Sequence, residues 1–234
     1  MGKRERGASP APGAWQSCKI GNAAFSRAVI CSALMKQPLK KAFNDVAPCP
    51  DAPDYEPELW TGHPFQFMNN CYSYAVNDMR RDRPAMPAPG GKAGLTLEQY
   101  RSLPLHELIT WLQRDGLERA SGPVARPGHY LVAFALQLEF CPAGDRQWRM
   151  VDGHFWRQDA DGLWSHKPGM LLPSREDASG RQIVMPHQCD RGIYDEFMGY
   201  FHVPKGGLQV ESWKDMVPHP VRRDHGSPKL TMGK

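Results

Sequence analysis

The sequence has no apolar run long enough to cross a bilayer, no CxxC pair, no internal repeat and no basic stripe. Each absence removes a class of function. A membrane-spanning helix needs about 20 predominantly apolar residues. The most apolar early run, Ala23 to Met35, is shorter and is interrupted by Arg27. It lies behind a Pro/Gly-rich leader, too far from the start for a Sec signal peptide. The run reads as an amphipathic helix, and membrane insertion is not expected. The expected location is the cytoplasm, or export without a classical signal peptide. The six cysteines (Cys18, Cys31, Cys49, Cys71, Cys141 and Cys189) include no close pair, which argues against a zinc ribbon or a thioredoxin-type motif. Without a signal peptide the thiols are expected to be reduced, and no spacing selects a disulfide pairing. His187 and Cys189 have no second close pair of ligands beside them, so neither a metal nor another cofactor is expected. The formal charge is only +4, and Lys/Arg cluster at the ends alone, in "MGKRER" and "PVRRDHGSPK". These read as solvated tails. A nucleic-acid footprint would interleave basic and aromatic residues along an element, so no nucleic-acid partner is expected.

What is present suits a folded chain. A length of 234 residues allows one sizeable domain with appendages. The 22 Pro and 22 Gly place much of the chain in irregular connections. The first fifteen or so residues are small, charged or Pro, with little to bury. One or two helices are expected between Ser17 and Asp45, and "APCPDAPDYEPE" reads as a Pro-rich linker. The expected organisation is an extension over 1–55, a main domain over 56–210 and a tail over 211–234. The residues do not specify an oligomeric state.

Within the main domain, Asn70 is a suitable N-cap, and the helix it opens is expected to run through "CYSYAVNDMRR" to the Pro/Gly segment "RDRPAMPAPGG". Thr96 with Gln99 forms a capping-box pattern. Leu105, Leu108, Ile109 and Leu112 share one helical face that stops at Gly116. "HYLVAFALQLEF" reads as a strand, "GHFWRQDADGLWSHKPG" as a hairpin turning at Asp161-Gly162, and "FMGYFHVP" as a further strand. Helices first and strands second make an α+β pattern with a mostly antiparallel sheet.

The chemistry centres on Cys71. Directly after Asn70, it occupies the first turn of the expected helix. There, free N–H groups and the positive dipole end favour a thiolate and can donate to an oxyanion. A thiol nucleophile also needs a base, usually His, held by a third polar group. His154 stands at the entrance of the aromatic strand, after Asp152-Gly153. His166 lies on the return strand, and the turn length decides its face. A two-residue loop puts His166 opposite Arg157, on the face away from His154; a three-residue loop, Ala160-Asp161-Gly162, puts it opposite Trp156, on the same face. Gly at the third loop position suits the second, bulge-type turn. Trp156, Trp164, Tyr130, Phe134, Phe155, Tyr200 and Phe201 read as core residues, with a cleft lining as the alternative.

A helix-opening cysteine, then a strand, then a His-bearing hairpin with a Gly turn resembles the papain-like superfamily, and within it the NlpC/P60-like branch. "NNCYSYA" corresponds to the cysteine helix, "HYLVAFAL" to the following strand and "HFWRQDADGLWSHKPG" to the hairpin. With "GYFHVP" included, the pattern is similar to uncharacterised bacterial proteins of that superfamily and covers about residues 62 to 205. It departs from the better-known families at the nucleophile, where Asn-Asn-Cys-Tyr replaces Asp-Cys-Ser or Gly-x-Cys. The resemblance implies a cysteine hydrolase that attacks an amide in a peptide or peptidoglycan-type substrate. Cys71 would be the nucleophile, His154 the base and then the acid, and His166 or Asp152 the orienting group. The Cys71 N–H and the side chain of Gln66, five residues before the thiol, would line an oxyanion hole. Asn70 and Trp156 would sit on the substrate side, although Asn69 and Asn70 also read as backbone caps. The alternatives are a non-catalytic binding or effector module on the same fold, and an acyltransferase or deamidase using the same thiol.

Overall fold

The computed structural model describes residues 47–140 and 148–216. The N-terminal helices expected from the sequence, Cys18, Cys31, Cys141 and most of the C-terminal tail lie outside these residues. Among the described residues a 3-10 turn (Pro57–Trp60) is followed by four α-helices: α1 (Phe65–Met68), α2 (Cys71–Ala75), α3 (Leu97–Ser102) and α4 (Leu105–Asp115). Five strands follow: β1 (Glu118–Arg119), β2 (His129–Phe140), β3 (Trp148–Gln158), β4 (Trp164–Ser165) and β5 (Glu196–Pro204). The strands form one antiparallel sheet in the order β1-β5-β2-β3-β4, so the fold is α+β.

β2 lies at the centre and is buried on both faces, which is why it reads as a continuous apolar run without alternation. Tyr130, Val132, Phe134 and Leu136 face the helices, packing with Phe155, Phe201, Tyr72 and Leu112. Leu131, Ala133 and Ala135 face the other way, toward Trp156, Trp164 and Tyr200. Phe134 and Phe155 stack with ring centroids 4.3 Å apart. Gly153, opposite Leu136, sits close under this pair, and a Cβ there would lie 2.9 Å from Phe134 Cε2. Phe134 is fully buried and cannot swing away, so Gly153→Ala is expected to cost about 1–3 kcal/mol through overpacking. A thermal melt within about a degree of the parent would show that the ring pair yields instead.

Three expectations from sequence change. The helix opened by Asn70 is five residues long and does not continue to Arg81. Asn77 adopts a left-handed φ of 57°. Asn77 N–H then bonds Tyr74 O, and Asp78 N–H bonds Ser73 O, a Schellman ending that redirects the chain. Asp78 is held there by Arg83 at 2.6 Å and by the N–H of Val210 at 2.8 Å. The Pro-rich segment read as a linker also packs onto the domain. Cys49 N–H donates to Ala160 O and Ala160 N–H to Pro53 O, with Cys49 and Ala52 buried. Likewise, the tail is ordered at its start. Ala88 N–H bonds Glu211 O, Lys214 N–H bonds Leu95 O, and Trp213 Nε1 donates to Pro89 O.

The hairpin carrying both histidines uses the three-residue loop. Asp159 N–H bonds Leu163 O at 2.8 Å, Arg157 pairs with Ser165, and Gly162 takes a φ of 86°. This register puts His166 opposite Trp156, on the same face as His154. No helix among the described residues is long and apolar enough to cross a membrane.

Candidate active site

Asn70 builds the start of α2. Its Oδ1 accepts from Tyr72 N–H and Ser73 N–H, and Ser73 Oγ accepts from Asn70 N–H in return. Its Nδ2 donates to Pro87 O at 2.7 Å. Asn69 is buried and bonds Phe65 O and Arg80 O. Both asparagines therefore serve the backbone, and Asn70 also borders the cavity beside Cys71.

Cys71 is buried, and its thiol lies 3.8 Å from Gly153 O. Burial pushes its pKa up to about 12, against smaller downward pulls from nearby backbone N–H groups and from Lys167. The helix terminus was expected to favour the thiolate, and the opposite holds. The helix is a single turn, two of its N–H groups are taken by Asn70, and the desolvation of a buried thiol outweighs what is left.

The two histidines are directly bonded. His154 Nε2 and His166 Nδ1 are 2.8 Å apart, and His166 Nε2 is 2.9 Å from Glu176 O. A carbonyl only accepts, so His166 Nε2 carries a proton and, in the neutral ring, its Nδ1 accepts. His154 Nε2 must then be the donor, which leaves the lone pair of neutral His154 on Nδ1. Burial holds both rings below the usual histidine range, and the His166 charge adds to the effect at His154. Nδ1 of His154 has no hydrogen-bond partner among the described residues.

Alternation along β3 turns Gly153 and Phe155 toward α2, and His154 and Trp156 toward the other face. The thiol and the imidazole therefore stand on opposite sides of the β3 backbone, which a base for Cys71 was not expected to do. Both border one cavity of about 810 Å³. Among the described strands, nothing pairs with the outer edge of β3 at this point, since β4 joins only Arg157 and Gln158.

The other candidates fall elsewhere. Asp152 does not touch His154: it accepts from Gly153 N–H and from the Tyr194 hydroxyl. His166, not Asp152, orients the imidazole. Gln66 is not among the cavity-lining residues, and its carbonyl accepts from Lys167 Nζ, so the structure does not give it an oxyanion position. Trp156 is buried, with its ring 4.7 Å from that of His154. It supports the imidazole from within the core. His187 bonds Tyr200 and Cys189 bonds Pro186 O. Among the described residues no group of three or more His, Cys, Asp or Glu is placed to hold a metal.

Sequence reasoning missed much of the cavity wall: Tyr100, Arg101, Arg149, Trp213 and Tyr194. It also missed Lys167, a fully buried cation bonded to the backbone just ahead of Cys71. The capping box of α3 pointed to a helix at Tyr100, but nothing local marked the others.

The chain is 34% identical over 149 residues to insoluble matrix shell protein 1 of Ruditapes philippinarum, an alignment spanning 64% of this chain and 88% of that protein. The chain belongs to the insoluble matrix shell protein 1 family. That relative's name refers to an insoluble shell matrix and specifies neither a reaction nor a ligand. No protein-family model and no solved structure matches the chain at a significant level.

The histidine pair of this family member makes a prediction about pH. The unfolded chain protonates these rings near their ordinary value of about 6.5, whereas the folded chain resists until lower pH. The unfolded state thus holds more protons below that value, and stability falls as pH drops through it. Thermal melts from about pH 7.5 to about pH 5.5 should show this fall, and His154→Phe should show a smaller one. Equal slopes for parent and variant would mean that His154 is not the group responsible.

Proposed function

We propose that this chain is a cysteine hydrolase of papain-like, NlpC/P60-like type that cleaves an amide in a peptide or peptidoglycan-type substrate. The observation that carries this reading is the chain of bonds from Glu176 O through His166 to His154, which leaves an unprotonated Nδ1 on a ring bordering the cavity of Cys71. When substrate draws the thiol away from Gly153 O, Sγ attacks the carbonyl carbon and its proton passes to His154 Nδ1. The imidazolium returns that proton to the departing amine, leaving a thioester. Water then attacks the thioester, giving one proton to His154; the released acid leaves and the thiol recovers its proton. The thiol and the imidazole rest on opposite sides of the β3 backbone, so the step requires Sγ and Nδ1 to meet around the edge of β3 that β4 leaves unpaired, within the cavity both border.

Cys71→Ala and His154→Ala are each expected to abolish amide hydrolysis with melting temperatures within a few degrees of the parent. Full activity in both variants would exclude the mechanism.

A second reading, a non-catalytic module of a matrix, is favoured by the buried thiol with its pKa pushed up to about 12 and by the name of the shell-matrix relative. Under it, Cys71 reacts with iodoacetamide no faster than an ordinary thiol of pKa about 8.5, with or without His154.

A further inference from the structure

Asp152 stands beside the histidine pair without touching it, and its partner shows what it does. Tyr194 lies in the segment before β5. Its ring stacks on His154 with centroids 4.9 Å apart and planes at 24°, and its hydroxyl donates to Asp152 Oδ2 at 2.8 Å. Trp156 meets His154 edge-on at 4.7 Å, and its centroid is 6.3 Å from that of Tyr194, so the two aromatic rings pack on adjacent sides of the imidazole. The segment behind Tyr194 is fixed by Arg191, which donates to the carbonyls of Tyr194, Pro186 and Asp195.

Tyr194 also stands between two spaces. Together with His154 and Pro168 it borders both the 810 Å³ cavity of Cys71 and a second cavity of about 380 Å³. Glu176, Asp177 and Arg191 border the second cavity, behind His166. The titratable groups around the His154 ring are thus His166, Tyr194, Asp152 along its own strand and Cys71 from α2, with Glu176, Asp177 and Arg191 beyond His166.

We infer that Tyr194 is a positioning residue for His154: its ring seals the imidazole pair from water and divides the two cavities, and its hydrogen bond to Asp152 latches it in place. A stacked ring restricts rotation of the imidazole about its side-chain bonds, so it keeps Nε2 on His166 and fixes the direction of Nδ1. The latch is a single hydrogen bond near the surface, so an extended substrate can displace it and run past His154 from one cavity to the other. The link to catalysis rests on the thiol–imidazole reading above. The position of the ring does not, and the test separates the two.

Ring-proton or ring-nitrogen NMR titration of His154, without substrate, reads the seal directly. Tyr194→Ala is expected to move the His154 midpoint up toward its ordinary value by about one pH unit, a tenfold change in proton affinity, as water reaches the ring. Tyr194→Phe keeps the stack and should titrate like the parent. The latch is read by alkylation of Cys71 with iodoacetamide. Tyr194→Phe and Asp152→Ala should each speed it about twofold to fivefold, the size of one modest hydrogen bond. The double variant should be no faster than either, because both remove the same bond. A parent-like His154 titration in Tyr194→Ala would overturn the seal, as would Tyr194→Phe titrating like Tyr194→Ala. Additive effects of the two latch variants would overturn the latch. If the parent shows no amidase activity, the catalytic reading fails, while the titrations still decide whether Tyr194 holds the ring.

Discussion

Asp159→Ala is expected to remove about 3–5 kcal/mol of stability, because it leaves a buried guanidinium without its counter-charge. Asp159 is fully buried at the base of the histidine hairpin. Its Oδ1 accepts from Arg157 Nε, Arg157 Nη2 and Ser165 Oγ, and its Oδ2 from Arg175 Nε. The Arg157 side chain is only 1% exposed. It also donates to Asp54 O and to the Tyr74 hydroxyl, and lies over the Tyr74 ring at 4.2 Å. Both partners are buried, so the loss is far larger than for a surface pair. For a domain of this size it amounts to a fall of about 6–20 °C in melting temperature. Asp161→Ala is the control. That carboxylate is half exposed and pairs with Arg175 at 2.8 Å, a setting worth about 0–1 kcal/mol. A melt of Asp159→Ala no lower than that of Asp161→Ala would show that the network is not what secures the hairpin. Because β3, the turn and β4 carry His154 and His166, the alignment of the pair depends on this carboxylate.

The parts of the fold that were legible are those set by short-range chemistry. β2 announced itself as an apolar run, the Thr96–Gln99 capping box opens α3 as its residues imply, and α4 ends at the left-handed Gly116. The same holds for the hairpin, where Gly162 at the third loop position decides the register and so the shared face of the two histidines. What was hidden depends on distant residues. Nothing near Asn77 announces the early end of α2, because Asp78 is claimed by Arg83 and by Val210, 132 residues along the chain. "APCPDAPDYEPE" looks like a linker until Ala160 supplies its backbone partners. At Cys71 the helix dipole is weak, because α2 is a single turn with two of its N–H groups taken by Asn70. The side of β3 on which His154 stands was, by contrast, available from alternation with Phe155. A histidine on a strand and a cysteine on a helix packed against that strand share a face only when the parity agrees.

Lys167→Met is expected to weaken both the fold and the thiol. The ammonium is enclosed, with Nζ donating to Gln66 O at 2.8 Å, Asn69 O at 2.6 Å and Gly169 O at 2.7 Å. Its donors are matched one to one, so a thioether in their place strands three buried acceptors. Those carbonyls belong to α1, to the residue joining α1 to Asn70, and to the turn after β4. Lys167 therefore pins the approach to Cys71 onto the hairpin that carries the histidines. The loss is about 3–5 kcal/mol, from three buried carbonyls left unsatisfied at about 1–3 kcal/mol each, partly offset because no charge has to be buried. A pH signature distinguishes this from simple loss of packing. Burial lowers the folded pKa of Lys167 to about 8 from the ordinary 10.5, so between those values the unfolded chain holds the extra proton. Parent stability then gains with rising pH through that window, a gain the methionine variant lacks. The stability gap between parent and variant should therefore widen from pH 8 to pH 10.5. Cys71 should respond as well, because the Lys167 charge is one of the few influences drawing its thiol downward. Slower alkylation of native Cys71 in the variant, below the pH of global unfolding, is the expected result. A gap that stays constant with pH, or a thiol that reacts faster in the folded variant, would mean that Lys167 acts as a neutral filler and not as the charge that ties the cysteine turn to the histidine hairpin.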